Sequence, residues 1–305
     1  MSVPPPVNPK RTLRLLALLA LLPAGAALAQ SDERLPAPVA RILKAAGVPN
    51  AAVALVVQDV DARLPRASFN ADKPMNPASV MKLLTTYAGL ELLGPAYAWK
   101  TEAYALGPLN DGVLEGDLLL KGYGDPRLGF EQFWLLLRQL RAKGLREIRG
   151  DLVLDRSHFA AVEHDPARFD NEPLRPYNVG PDALLLNFKS IRLDFWIEAQ
   201  GRRVAVRAEP APAQFDLVNL LKPGEGACGP AWHEAIRMDL AHTGAAARLI
   251  LTGAYPAACG EKSRHVAALD HPQFVAGVFR QLWSELGGGF AGGLREGTLP
   301  APARL

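Results

Sequence analysis

Asn76-Pro77-Ala78-Ser79-Val80-Met81-Lys82-Leu83-Leu84-Thr85-Thr86 is the stretch around which the rest of the sequence is organised. Asn is a favoured helix N-cap, and Pro suits the first turn because its missing N–H would have no partner there. Leu83, Tyr87 and Leu90 recur at helical spacing, and Gly94-Pro95 ends the run, so the pattern predicts a helix from Asn76 to Gly94. Ser79 then falls in the first turn, where free backbone N–H groups and the helix dipole favour negative charge. Lys82, three residues on, shares a face with Ser79. A hydroxyl beside an amine is a nucleophile beside a base. The bare Ser-x-x-Lys spacing is weak, since eight Ser and ten Lys among 305 residues supply about 0.3 matches by chance. Its bland reading is a helix start with a solvated lysine, so the surroundings must decide.

Ala51–Val57 precedes it as a continuously apolar run, read as a buried central strand. A short turn and Ala67-Ser68-Phe69-Asn70 follow. Strand, hairpin arm and Pro-Ala-Ser-Val-Met-Lys helix start together resemble the first motif of the penicillin-binding proteins and serine β-lactamases. The wording Phe69-Asn70-Ala71-Asp72-Lys73-Pro74-Met75 into Asn76–Thr86 is most similar to the D-alanyl-D-alanine carboxypeptidase/endopeptidases, the class C low-molecular-mass, DacB-type penicillin-binding proteins.

Ahead of this core, Met1–Ala29 reads as a secretory signal. Lys10, Arg11 and Arg14 form a basic start, Leu15–Leu22 an apolar centre, and Ala27-Leu28-Ala29 a small-x-small cleavage site. The apolar run is shorter than the ~20 residues that span a bilayer; an uncleaved N-terminal anchor is the alternative. The signal places the mature chain outside the cytoplasm, and the family resemblance makes that compartment the periplasm. It also holds three of the 34 basic residues and no acidic one, which leaves 31 basic against 31 acidic. No net-charge argument for nucleic acid or an anionic membrane surface survives its removal.

The remaining 276 residues suffice for one large domain or two smaller ones. Leu35–Ala46 reads as a short amphipathic helix closed by Gly47. After Gly94 the texture becomes β-rich. Strands are expected at Trp99–Leu106 and Leu114–Lys121 around Asn110-Asp111-Gly112, at Glu147–Asp155, Ile191–Glu198, Arg203–Ala208 and Ala246–Leu251. Phe130, Phe133, Trp134, Leu137 and Leu140 make one helical stripe ending at Gly144. His271–Leu286 is a second apolar-faced helix, and Phe290–Leu299 begins a further strand. Gly122-Tyr123-Gly124-Asp125-Pro126 lacks the third glycine of a dinucleotide fingerprint; it and Gly150–Asp155 match wording of the same family. So does Tyr177-Asn178-Val179-Gly180 leading into Ala183–Phe188. His158, His164, Asp165, Asp170 and Glu172 lie in a polar stretch broken by prolines at 166, 173, 176 and 181, without the spacing of a zinc helix. No metal or cofactor is expected. Cys228 and Cys259, an even pair in an exported chain, read as a disulfide, with two buried thiols as the alternative.

The resemblance implies an α/β fold: part of a transpeptidase-like domain (31–98 and 265–305) interrupted by a β-rich insertion (99–264). It implies Ser79 as the nucleophile that attacks the carbonyl between two D-alanines of a peptidoglycan stem peptide, Lys82 as general base, and β-lactams as inhibitors that acylate the same serine. A lysine works as a base only when neutral, which burial and a second cation promote. In the family that cation comes from a later Lys-Thr-Gly strand, and a Ser-x-Asn relays the leaving-group proton. Ser68-Phe69-Asn70 and His242-Thr243-Gly244 imitate these motifs out of place, so both are read as chance. The resemblance thus corresponds to roughly the N-terminal two-thirds of a family member, as in a truncated product or fragment, and a 305-residue chain without those motifs is expected to turn over little. Two further readings stand: a degenerate penicillin-binding-like protein that binds cell wall or a partner without turnover, and a structural domain with an accidental Ser-x-x-Lys. Mass spectrometry of the exported protein is expected to give Gln30 as the first residue; a chain retaining Met1–Ala29 would refute cleavage there.

Overall fold

The structure, a computed structural model, describes residues 35–199, 203–244 and 246–301. The signal read over Met1–Ala29 lies outside the described residues. The chain divides into two compact units, Met1–Ala96 and Tyr97–Leu305.

In the first unit, α1 (Ala37–Ala45) has a proline in its first turn and Lys44 in its last. Gly47 follows in the left-handed region at φ 70°, the conformation glycine adopts freely after a helix. The apolar run at Ala51–Val57 forms less strand than expected. Asn50–Ala52 is a 3-10 turn and only Leu55–Val57 forms strand, paired antiparallel with Ala67–Phe69. Nor is it buried: Val56 and Val57 are exposed, because this sheet has two strands. The long helix α2 (Met81–Leu93) is entered through a 3-10 turn at Ala78–Val80 and ends at Gly94.

The second unit is built on a four-stranded sheet in the order Leu294–Glu296, Leu152–Asp155, Asp117–Gly122, Thr101–Leu106. Leu152–Asp155 pairs in parallel with both neighbours, and parallel neighbours require crossovers. Helix α3 (Phe130–Ala142) is the crossover from Asp117–Gly122, and α4 (His271–Glu285) precedes the return at Leu294–Glu296. Their apolar stripes meet in one core, where Phe133, Leu137, Phe274, Phe279 and Trp283 are buried with Leu118 and Leu152. Trp134, placed on the α3 stripe by its spacing, is instead partly exposed. The expected single strand at Glu147–Asp155 is two. Glu147–Ile148 joins a separate small sheet and Leu152–Asp155 the main one, with Gly150 at the break. A Cβ on Gly150 would sit 2.5 Å from the Gly116 backbone, so the step between sheets needs glycine there. The strand expected from Phe290 is likewise two short ones, Gly289–Phe290 and Leu294–Glu296.

The described part of residues 265–305, to residue 301, lies in the second unit. Its helix closes that unit's core, and its strands pair with Glu147–Ile148 and Leu152–Leu154. The sequence showed an apolar stripe on α4 but not which core receives it.

The β-rich part adds Ile191–Ile197 between Val204–Glu209 and Lys262–Val266. The long strand Ala246–Pro256 is flanked by Ile236–Thr243 and, in parallel, by Phe215–Asn219 and Lys222–Gly224. Phe195, Trp232 and Tyr255 cluster between them, and the Tyr255 hydroxyl donates to the Gly260 carbonyl at 3.0 Å. Cys228 and Cys259 are bonded, Cα atoms 4.8 Å apart and 31 positions apart in sequence. Closing such a loop stabilises by about 3–4 kcal/mol in the chain-entropy account.

Asp155 ends the central strand and is fully buried. It pairs with Lys121 at 3.2 Å, accepts from the Ser157 hydroxyl and N–H, and accepts from the Leu299 N–H at 2.8 Å. Burial pushes its pKa up, but these donors outweigh burial and the net shift is downward. A depressed carboxylate adds stability that is present above its unfolded pKa of about 3.9 and is lost as pH falls through the lower folded value. Asp155→Asn is therefore expected to cost about 3 kcal/mol at pH 7 and to flatten the acid limb of stability below about pH 4. Denaturant melts across pH 2–7 check this; an unchanged acid limb would refute it.

Candidate active site

Ser79 lies in the 3-10 turn that leads into α2, and Lys82 is the second residue of that helix. The turn is set by its own sequence. The Asn76 side-chain oxygen accepts from the Ala78 N–H at 2.9 Å, and the Val80 N–H donates to the Pro77 carbonyl at 2.9 Å. Asn76 thus forms an Asx turn ahead of the 3-10 turn rather than the helix cap expected of it: the residues at the cap positions are Pro77 for the 3-10 turn and Val80 for α2, neither with a side-chain cap bond. Ala78 sits in the left-handed region at φ 44°. A non-glycine residue there is strained, and such strain concentrates where geometry serves function.

The side chains then meet: Lys82 Nζ donates to Ser79 Oγ at 3.0 Å. An amine and a hydroxyl in one hydrogen bond define a proton path between a nucleophile and its acceptor, within the reach that general-base catalysis needs. Both residues are exposed. Farther along, the Thr86 hydroxyl donates to the Lys82 carbonyl at 2.7 Å, holding the first full turn of α2. Asn70 donates its side-chain amide to the carbonyls of Asn50 and Val53, and the Lys73 amine donates to the Ala51 carbonyl. Asn70 therefore fastens the hairpin arm, a structural task that accounts for the Ser68-Phe69-Asn70 imitation. The His242-Thr243-Gly244 imitation is a hairpin end, where Thr243 pairs with Ala246.

In the second unit, the Gly122–Pro126 loop is tied by the Gly124 N–H to the Ala183 carbonyl at 2.7 Å. Tyr123 and Tyr104 both donate their hydroxyls to Glu102, at 2.6 and 2.8 Å. The Tyr123 bond leads in holding the Glu102 carboxyl below its ordinary value, and the same bond raises the Tyr123 phenol. Sequence reading missed this trio, whose one signal is alternation along Glu102-Ala103-Tyr104. The polar stretch 158–182 spends its groups internally. Asp165 and Asp170 accept from the N–H groups two residues on, and His164 bonds the Asn178 carbonyl at 2.6 Å. Among the described residues no three His, Cys, Asp or Glu side chains converge as a metal site requires.

Comparison with known proteins places these features in context. A model of the D-Ala-D-Ala carboxypeptidase 3 (S13) family matches residues 35–305. A D-alanyl-D-alanine carboxypeptidase DacB from Haemophilus influenzae is 29% identical over 165 residues, 54% of this chain and 34% of the relative. A D-alanyl-D-alanine carboxypeptidase from Actinomadura sp. strain R39 is 32% identical over 176 residues, 52% of this chain and 32% of the relative. The matches thus span about a third of those relatives' length. The crystal structure of penicillin-binding protein 4 (dacB) from Haemophilus influenzae superposes with a TM-score of 0.67 at 21% identity, over 87% of this chain and 57% of that one. The same protein in complex with a β-lactam gives a TM-score of 0.56 at 18% identity, over 82% and 52% of the two chains. That likeness bears out the mixed α/β fold.

The strain at Ala78 is open to direct measurement. Ala78→Gly is expected to raise the stability of the first unit by up to about 1 kcal/mol, and Ala78→Val to lower it by about 1–2 kcal/mol, because only glycine adopts a positive φ freely. Chemical denaturation of the two variants checks the order; equal stabilities would mean that the turn relaxes.

Proposed function

The chain belongs to the D-Ala-D-Ala carboxypeptidase 3 (S13) family, and from that premise we propose that it is a serine-type D-Ala-D-Ala carboxypeptidase/endopeptidase of peptidoglycan remodelling. The observation that carries the reading is the 3.0 Å bond from Lys82 to Ser79 at the strained start of α2. Ser79 Oγ attacks the carbonyl carbon between two D-alanines of a stem peptide while Lys82 takes its proton. The terminal D-alanine leaves as its nitrogen is protonated, and the remaining peptide stays as an ester on Ser79. Water hydrolyses that ester and regenerates the serine. β-Lactams, whose strained amide presents the same carbonyl, acylate Ser79 and stop there. No cofactor enters this chemistry. The reading places the protein outside the cytoplasm, in the periplasm, where the Cys228–Cys259 pair is stable to cellular thiols.

The two supporting motifs named by the resemblance, Ser-x-Asn and Lys-Thr-Gly, are not found after Ser79 within these 305 residues in a usable place. A polypeptide of these residues alone is therefore expected to react slowly. Loss of one oxyanion donor costs ~10²–10³-fold and loss of a proton relay ~10²-fold, though such factors do not simply multiply.

The test uses fluorescent penicillin and a peptide ending in D-Ala-D-Ala. Expressed with whatever chain its gene encodes beyond these residues, if any, the protein is expected to take one label and release D-alanine, both abolished by Ser79→Ala. Labelling that survives Ser79→Ala would overturn the assignment of the nucleophile. The purified 305-residue polypeptide is expected to label at least ~100-fold more slowly than a typical penicillin-binding enzyme; rapid stoichiometric labelling would show that the later motifs are dispensable.

A further inference from the structure

The second unit carries an open cavity of about 820 Å³ that none of the chemistry above uses. Its walls come from the 157–182 loop, the end of the central strand, the start of α4 and the turn at Asn187–Lys189. The volume lies in the range of small-molecule sites.

Every charge facing this cavity has a partner except one. Arg156 is held by Asp182 and by Glu296, the latter at 2.7 Å. Asp270 is the N-cap of α4, its carboxylate accepting from the Gln273 N–H at 2.9 Å. The carbonyl of Asn178 occupies His164 Nε2. His271 is neutral at pH 7, because burial, the leading cause, lowers its pKa to about 4. Lys189 stands apart. Among the described residues no carboxylate lies within 4.0 Å of its amine and no acceptor within hydrogen-bond distance.

The backbone that delivers Lys189 is costly. Asn187, Phe188 and Lys189 are three successive non-glycine residues in the left-handed region, at φ 47°, 52° and 54°. Left-handed residues normally occur singly. The run is pinned by the Asn187 N–H to the Leu128 carbonyl at 2.8 Å and the Asn187 side-chain amide to the Ser190 carbonyl at 2.9 Å. Strain held in place by fixed bonds, ending on a cationic residue that lines a cavity, is how binding groups are pre-organised. Burial lowers the Lys189 pKa, with Asp270 and Asp182 opposing from a distance. Lys189 is half-buried, and a partly desolvated amine without a counter-ion gains from an anion that arrives with the ligand. Around it, Phe159, Val162, Pro173 and Val179 line the cavity with apolar surface.

We propose that this cavity binds a small carboxylate with an apolar body, its carboxylate on the Lys189 amine and its body against Phe159, Val162, Pro173 and Val179. The site lies within the second unit and does not depend on the reading of Ser79.

The test titrates the 305-residue chain by ligand-observed NMR at pH 7 with hexanoate, its neutral isostere hexanamide, and hexylammonium. Hexanoate is expected to bind at least about tenfold more tightly than hexanamide, the size of one charge-assisted hydrogen bond. Lys189→Met is expected to erase that difference and Lys189→Arg to keep most of it. Val162→Trp, which leaves every charge in place, is expected to weaken hexanoate and hexanamide alike by filling the apolar end; it keeps the test valid if Lys189→Met fails to fold. Equal binding of hexanoate and hexanamide would overturn the proposal. So would hexylammonium binding tightest, which would show that Asp270 and Glu296 dominate, or no binding of any of the three.

Discussion

The pairing of Leu152–Asp155 in parallel with a strand on each side is the constraint from which most of the second unit follows. A parallel neighbour cannot be reached by a hairpin, so the chain must cross over the sheet each time. Helices α3 and α4 are those crossings, and each brings an apolar stripe to the same face. That places Phe133, Leu137, Phe274 and Trp283 in one core. It also fixes Asp155 at the strand's end, where Lys121, Ser157 and Leu299 converge. The loop after Asp155 and the turn before Ile191 are held at the same end, which is why a cavity lies between them.

The first unit is organised differently, around a turn rather than a sheet. Its two strands are short, and its chemistry rests on the few bonds that fix Asn76 to Lys82. The Asn76 turn, the left-handed Ala78 and the 3-10 turn set where Ser79 stands, and the first turn of α2 sets where Lys82 reaches. One hydrogen bond between them then turns a common spacing into a candidate mechanism.

Much of this was legible in the residues. The spacing of Leu83, Tyr87 and Leu90 located α2, and the Ser79–Lys82 pairing followed from helical geometry, whereas the cap expected at Asn76 is instead a turn ahead of the helix. The stripe at His271–Leu286 located α4, and the Asp111-Gly112 turn, the strands at Ile191 and Arg203 and the cysteine pair were also readable. What was not legible shares one cause: it depends on partners distant in sequence. An apolar run does not say whether it will be central or flanked by a single strand, and Leu55–Val57 has one partner strand, with Val56 and Val57 exposed. A stripe does not name its core, so the sequence alone does not say that α4 packs against α3. The left-handed Asn187–Lys189 run has no glycine to announce it, and the Glu102–Tyr123 bond joins residues 21 positions apart.

Helix α2 has a consequence for the behaviour of the polypeptide in solution. Met81, Leu83, Leu84, Tyr87, Leu90, Leu92 and Leu93 surround it on all sides and are all exposed. A helix that is apolar all round has the composition of an enclosed element rather than a surface one, and contiguous exposed apolar area is adhesive in water. The helix that carries Lys82 therefore also presents adhesive apolar surface to water. The polypeptide's solubility will be governed by that one helix more than by the neutral charge balance of the remainder.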